Sequence, residues 1–462
     1  MRNISRGILS FLIFSRAFSA DAQKVQVWLS NPDKSALFQE RQSLEFGKTT
    51  TNDSAIVVND HTSYQKMDGF GFALTGGSAQ LITEMPAGER KALLEELFRY
   101  DKNNIGVSYL RVSIGASDMN DHVFSYDDLP EGQIDTNLNK FSLSEDEKNV
   151  VPVLKEILMI NPKIKILGSP WSAPTWMKTN NNVKAGQLKK EYYRVYAMYF
   201  VKYIQQMKKE GINIDAITVQ NEPLNDGNTP SMQMFPPDQL DFIKNYLGPL
   251  FKKLGIKTKI ILFDHNCDTP EYPTSILDDK DAAKYVDGSG FHLYRGKIDA
   301  LTKVHDSHPE KNLYFTEQMV VERRGFTPGV YVARLIIGAP RNWSKNVILW
   351  NLAADIHNKP HTDNGGCPVC QGAITIDSGK VTSRNIAYYV IAHASKFVRP
   401  GSVRIESTNM QSLPNVAFKT PDNNKVLIVV NNTQNPQHFS IAYDGKQLTA
   451  DLNGGSVGTY VW

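Results

Sequence analysis

Ala216-Ile217-Thr218-Val219-Gln220-Asn221-Glu222-Pro223 is a short apolar, partly β-branched run that stops at a carboxylate followed by proline. Such a run reads as a strand buried on both faces, and Pro223 cannot continue its hydrogen-bonded ladder. The strand is expected to end where Glu222 appears, which puts an Asn-Glu pair at its mouth. Asn312-Leu313-Tyr314-Phe315-Thr316-Glu317 repeats the arrangement with a second carboxylate. In a parallel α/β barrel the functional groups gather at the carboxyl ends of the strands, so these two Glu side chains could share one cleft. Either one alone is more often a solvated loop residue or the partner of a Lys or Arg. Two, each ending its own strand in a repeating pattern, favour a site.

Outward from these strands the pattern is strand, loop, helix, repeated. Gly69–Leu74, Val107–Ile114 and Lys165–Ser169 precede the Glu222 strand, while Lys259–Phe263, Gly288–Tyr294, the run to Glu317 and Asn346–Trp350 complete eight. Helices are predicted at Ala87–Tyr100, Ser144–Ile160, Lys189–Lys209, Pro328–Ile337 and Arg384–Lys396. Eight strands alternating with helices is the α/β count of a (β/α)8 barrel. Val25–Leu29 and Ala55–Val58 lack crossover helices, and Ser402–Trp462 reads as strands cut by Asn, Gly and Pro turns. Both chain ends are therefore expected to build one antiparallel β-sandwich beside the barrel. The expected division is 1–22 leader, 23–65 sandwich strands, 66–398 barrel and 399–462 sandwich.

A chain of 462 residues exceeds a single-core domain, which agrees with a barrel plus a smaller unit. Its formal net charge of +3, from scattered Lys and Arg, argues against nucleic acid or an anionic membrane as partner. Arg2 and Arg6, the apolar Gly7–Ser15 and Ala20-Asp21-Ala22 read as a secretory signal, with Arg16 directly after the apolar run as an untidy feature. No stretch approaches the roughly 20 apolar residues of a membrane span. The expectation is an exported monomer, periplasmic or extracellular, without stable membrane insertion. Three Cys rule out a disulfide scaffold. Cys367 and Cys370, close to His357 and His361, could hold zinc or form a short disulfide loop; an oxidising compartment favours the disulfide over zinc, and a redox CxxC ranks third.

Two converging carboxylates suit glycoside hydrolysis, in which one group protonates the leaving oxygen and another meets the developing positive charge. Arg111, near the end of the second strand, could hold the nucleophile ionised through a two-pronged contact, or form an ordinary structural ion pair. His292 and Tyr294 close the sixth strand, within reach of a carboxylate or a sugar hydroxyl. A lone His there is more often structural. Trp171 and Trp350 end strands three and eight, where they could face sugar C–H groups or belong to the core.

Asp68-Gly69-Phe70-Gly71, Leu110-Arg111-Val112, the stretch Ser169-Pro170-Trp171-Ser172-Ala173-Pro174-Thr175-Trp176-Met177-Lys178-Thr179-Asn180, Gln220-Asn221-Glu222-Pro223 and Phe315-Thr316-Glu317 together resemble glycoside hydrolase family 30. The resemblance spans nearly the whole chain after the leader. It implies a barrel with a side β-sandwich, a retaining reaction and neither metal nor cofactor. It further implies Glu222 as acid/base, Glu317 as nucleophile, and Asp118, Trp171, Asn221 and Trp350 as sugar-holding positions. By it His292 and Tyr294 lie near the nucleophile. The loop Gly366-Cys367-Pro368-Val369-Cys370-Gln371-Gly372 resembles the branch with microbial endo-β-1,6-glucanases, which favours a β-1,6-glucan over a glucolipid. A glucosidase or glucosylceramidase releasing terminal β-glucose and an inactive glucan-binding barrel are the alternatives. The proton donor Glu222 is expected to have a raised pKa, and Glu317 to stay ionised beside Arg111 or His292.

Overall fold

A computed structural model describes residues 23–48, 55–323 and 325–462. The expected leader at 1–22 lies outside the described residues. Eight strands close into a parallel barrel: β1 (Gly69–Ala73), β2 (Tyr109–Ile114), β3 (Lys165–Pro170), β4 (Ala216–Thr218), β5 (Lys259–Cys267), β6 (Val286–Gly296), β7 (Asn312–Glu317) and β8 (Ser344–Leu349). They are apolar and buried nearly throughout, because one face fills the barrel and the other lies under helices. Tyr109, Leu167, Ala216, Ile261, Tyr314 and Ile348 pack together from six strands, so the barrel interior is a filled core. On the outside, helix Tyr193–Lys209 buries Tyr196, Tyr199, Phe200, Tyr203 and Met207, the three-and-four spacing of one apolar stripe.

Several boundaries differ from the reading of the sequence. Helix Ser144–Ile160 is α-helical only over Val150–Ile160, after a 3-10 turn at Asp146–Lys148. Pro152 explains the start, since a residue without an N–H fits the first helical turn and not the interior. β4 is only three residues long and ends four residues before Glu222. The chain beyond it remains pinned by other bonds: Asn221 N–H donates to Pro170 O at 2.8 Å and Glu222 N–H to Asp264 O at 3.0 Å.

The two chain ends share one ten-stranded sheet system. Lys24–Ser30 pairs antiparallel with Val457–Val461, from Gln26 opposite Val461 to Ser30 opposite Val457. The strand read as Ala55–Val58 runs on to Lys66; its first residues pair in parallel with Gln437–Tyr443 and its later part antiparallel with Val403–Ser407. That parallel pair departs from an all-antiparallel sandwich. The seam to the barrel is aromatic: Trp28 and Phe38 pack against Phe397, beside the last barrel helix, Ile386–Ser395. From that helix the buried ring of His393 meets Thr459 Oγ1 at 2.9 Å and Ser30 Oγ at 2.8 Å. Among the described residues no helix is long and apolar enough to cross a membrane.

Candidate active site

The strand ends meet around Asp264, a residue the sequence reading passed over. Phe263 (φ 74°) and Asp264 (φ 63°) form a bulge in β5: Phe263 pairs with Gly290 and His265 with Phe291, which leaves Asp264 unpaired. The extra residue turns the Asp264 carboxylate into the barrel interior. There it accepts hydrogen bonds from Arg111 Nη2 at 2.8 Å, Thr218 Oγ1 at 2.7 Å, Thr316 Oγ1 at 2.6 Å and Ser169 Oγ at 3.1 Å, and faces His292 Nε2 at 3.1 Å. Burial alone would favour the neutral acid; Arg111 and these donors overcome it and hold Asp264 well below the usual carboxylate range.

Arg111 distributes its fork instead of clamping one carboxylate. Nη1 donates to Glu317 Oε2 at 2.6 Å, while Nη2 serves Asn221 Oδ1 at 2.7 Å as well as Asp264, and Nε donates to Ser169 Oγ at 3.1 Å. The expected two-pronged contact to Glu317 is thus replaced by a single one, because Asp264 takes the other prong. Tyr294 OH donates to Glu317 Oε1 at 2.9 Å. Glu222 adopts φ 46°, a left-handed backbone uncommon outside Gly, Asn and Asp. Its Oε2 accepts from Asn225 Nδ2 at 2.6 Å, and its Oε1 faces His292 Nδ1 at 3.1 Å. A carboxylate oxygen from each Glu and a ring nitrogen of His292 all lie within 4.8 Å of one another. Carboxyls this close match retention, at about 5–5.5 Å, and leave no room for the inverting water, which needs about 6.5–9.5 Å.

The charge distribution overturns the expectation of a raised pKa for Glu222. Burial disfavours the Glu222 anion, yet the hydrogen bond and charge of His292 prevail and bring its pKa down to about 2. Burial likewise opposes a charged His292, and Glu317, Asp264 and Glu222 prevail to lift it to about 10. Glu317 ends above its ordinary value: burial raises it, His292 and Arg111 pull it down, and Glu222 repels it. One proton thus lies on the 3.1 Å line between Glu222 Oε1 and His292 Nδ1, drawn toward the imidazole by the carboxylates around it. Glu222, His292 and Glu317 form the single group of three close enough to chelate a cation among the described residues. Arg111 and a protonated His292 already set two cations against Asp264, Glu222 and Glu317, an arrangement suited to moving a proton.

Glu222, Glu317, Asp118, Tyr294 and Trp350 line a cleft of about 640 Å³, with His265, Asn225, Arg295 and Met319. Arg111, Trp171, Asn221 and His292 stand one layer behind. Trp171 is buried between Arg111, whose guanidinium carbon is 4.8 Å from its ring, and Trp350 at 5.3 Å, so it backs the wall. Asp118 is buried; burial, then Glu317 and Glu222, push its carboxyl well up. Cys367 and Cys370 are joined in a disulfide, and with Gly366, Pro368 and Val369 they form one wall. That loop crosses the mouth to the segment after β4: Thr229 N–H donates to Gly365 O at 3.2 Å and Thr229 Oγ1 to Asn364 O at 2.6 Å. Asp264 and His265 follow the apolar run Lys259–Phe263, so the rule that found Glu222 and Glu317 applies to them too. Asn225 carries no comparable signal.

A filled parallel barrel whose strand ends bring two carboxylates together defines a glycoside hydrolase. Residues 67–398 match the Glycosyl hydrolase family 30 TIM-barrel domain and residues 401–460 the family 30 beta sandwich domain; the chain belongs to that family. It is similar to an endo-1,6-beta-D-glucanase of Trichoderma harzianum, 33% identical over 86% of this chain and 84% of the relative. A solved endo-beta1,6-glucanase superposes with a TM-score of 0.87 at 34% identity, covering 95% of this chain and 99% of that one. The lysosomal acid glucosylceramidase of Mus musculus is 28% identical, over 88% of this chain and 83% of the relative.

Proposed function

We propose that the protein is an exported, monomeric endo-β-1,6-glucanase acting by double displacement, with 1–22 a cleaved leader and 66–398 the catalytic unit. What carries the substrate is agreement between two comparisons: a sequence relative at 33% identity and a solved structure at 34% bear the same named activity. In this reading Glu317, oriented by Arg111 and Tyr294, attacks the anomeric carbon, and Glu222 protonates the leaving oxygen and later deprotonates the water. Asp118 and Trp350 hold the sugar on the nucleophile's side of the cleft. Asn221 and Trp171 act through Arg111 and Trp350.

A second reading, release of single terminal glucoses from a glucoside or glucosylceramide, is favoured by one observation. The tethering of the disulfide loop to Thr229 closes part of the cleft mouth. Product analysis separates the two: purified protein acting on linear β-1,6-glucan, with glucosylceramide in parallel, is followed over time by mass spectrometry. Oligosaccharides of mixed length are expected. Glucose as the only early product, or turnover of the lipid alone, would replace the endo reading with the exo one.

A further inference from the structure

His292 stands between the two carboxylates of that reaction, and its neighbours decide where each of its protons can go. Nε2 faces Asp264 Oδ1 at 3.1 Å, and Asp264 is kept anionic by Arg111, Thr218 and Thr316, so the proton there is fixed. Nδ1 lies 3.1 Å from Glu222 Oε1 and 3.8 Å from Glu317 Oε1. Charged or titratable groups come from every element around the ring: Arg111 from β2, Glu222 after β4, Asp264 and His265 from β5, Tyr294 from β6 and Glu317 from β7. His265 is itself held neutral, since burial takes it down to about 4. One mobile proton is left, on the line from Nδ1 to Glu222, and Glu317 is the charge that acts on it from the side.

We propose that His292 is a positioning residue that couples nucleophile to acid: it keeps the acid's proton while Glu317 is charged and yields it to Glu222 as that charge is consumed. The idea rests on the assignment of Glu222 and Glu317 made above. In the first step a Glu317 oxygen bonds to the anomeric carbon, and the bond to the leaving sugar breaks with its electron pair on the oxygen. The Nδ1 proton passes to the Glu222 carboxylate, and Glu222 hands that proton on to the leaving oxygen, ending as the carboxylate it began as. The site exchanges one anion and one cation for an ester and a neutral imidazole, so its net charge is unchanged. In the second step water bonds to the anomeric carbon, Glu317 leaves as a carboxylate, and the proton of the water returns through Glu222 to Nδ1.

The direct test needs no substitution. Protein labelled with 15N-histidine is titrated by NMR, free and after trapping with an activated 2-fluoroglucoside. His292 is expected to lose its Nδ1 proton at lower pH in the trapped enzyme, where Glu317 is an ester; an unmoved midpoint would overturn the coupling. In His292→Gln, kcat/KM on β-1,6-linked gluco-oligosaccharides should fall by about 100-fold, the scale of lost acid catalysis, while 2,4-dinitrophenyl β-glucoside, whose leaving group needs no proton, should react within about threefold of wild type. Equal losses on both would mean a merely structural histidine. The underlying assignment is checked separately by Glu222→Gln, which should form glucosyl azide from the dinitrophenyl substrate in azide; failure there would discard the acid/base and leave the NMR result standing on its own.

Discussion

Two equally buried histidines sit in two regions of this molecule and differ in charge, one neutral and one cationic. His393, at the seam between barrel and sandwich, has the hydroxyls of Ser30 and Thr459 at its ring nitrogens and the Phe38 ring at 5.1 Å, and burial drives its pKa down to about 3. His292, at the barrel mouth, is as deeply buried but faces Glu222, Asp264 and Glu317, and is lifted to about 10. Burial disfavours charge in both places; what differs is the company. The seam is satisfied polar structure that serves stability. The mouth concentrates charge that a hydrophobic replacement would remove at little cost to folding and at the whole cost of the chemistry.

The sharpest way to break this contrast is Glu317→Gln. The amide keeps the shape and can still meet Tyr294, so folding should be close to wild type, while hydrolysis falls by on the order of 10⁴-fold or more through loss of the nucleophile. Covalent trapping by the 2-fluoroglucoside, read by intact mass, should vanish. A trapped adduct in this variant would remove Glu317 from the nucleophile's role.

Next in size is Asp264→Asn. Asp264 is the anion that Arg111 and His292 share, so removing its charge leaves two buried cations with Glu317 and Glu222 alone. Urea denaturation should show a loss of about 3–5 kcal/mol. The matching change at the other end of the barrel is Asp287→Asn, which keeps an oxygen to accept from Tyr314 OH at 2.6 Å and loses the charge facing the partly exposed Lys259 at 3.3 Å. There the loss should stay within about 1 kcal/mol. Similar losses at both ends would show that the mouth carries no special electrostatic load.

Much of this was legible in the chain. Apolar runs such as Lys165–Ser169 gave the barrel strands because both faces are buried, and Glu222 and Glu317 stood out because a carboxylate ends each run. Asp264 ends an apolar run in the same way and was passed over; what the run does not show is the bulge that turns its carboxylate into the barrel. The second half of Ala55–Lys66 was hidden because Asn59-Asp60-His61 break the apolar pattern of a strand that pairs at the domain seam. The charge around His292 could not be read at all: it depends on distances among β4, β5, β6 and β7 that close only in the folded barrel.

The pH dependence of stability should separate the two histidines by sign. His393 is harder to protonate when folded, so its contribution is present above about 6.5 and is lost as pH falls from there toward about 3. His292 is easier to protonate when folded; its contribution is full below about 6.5 and is lost as pH rises through about 10. Denaturation midpoints of His393→Asn and His292→Gln, set against wild type between these limits, should flatten the acid side in the first and the alkaline side in the second. Flattening on the same side in both would mean that burial alone decides the charge.

The smallest effect tests whether the wall of the mouth is as unimportant to folding as the contrast implies. Cys367 and Cys370 enclose a four-residue loop, for which the chain-entropy argument allows only about 2 kcal/mol. The loop is also held independently by Thr229 and by Thr362, whose N–H donates to Asp118 O at 2.9 Å. A Cys367→Ser, Cys370→Ser double variant should therefore unfold at nearly the same urea concentration as wild type. The bridge packs with Met319, Trp171 and Trp350 at the cleft wall, with Cys370 Sγ 3.4 Å from Met319 Sδ. Loosening it should act on binding, so KM for β-1,6-glucan should rise by about three- to tenfold while kcat stays near wild type. A fall in kcat at unchanged KM would place the loop's influence on Glu317 instead, through Met319 N–H, which donates to the Tyr294 hydroxyl at 3.1 Å.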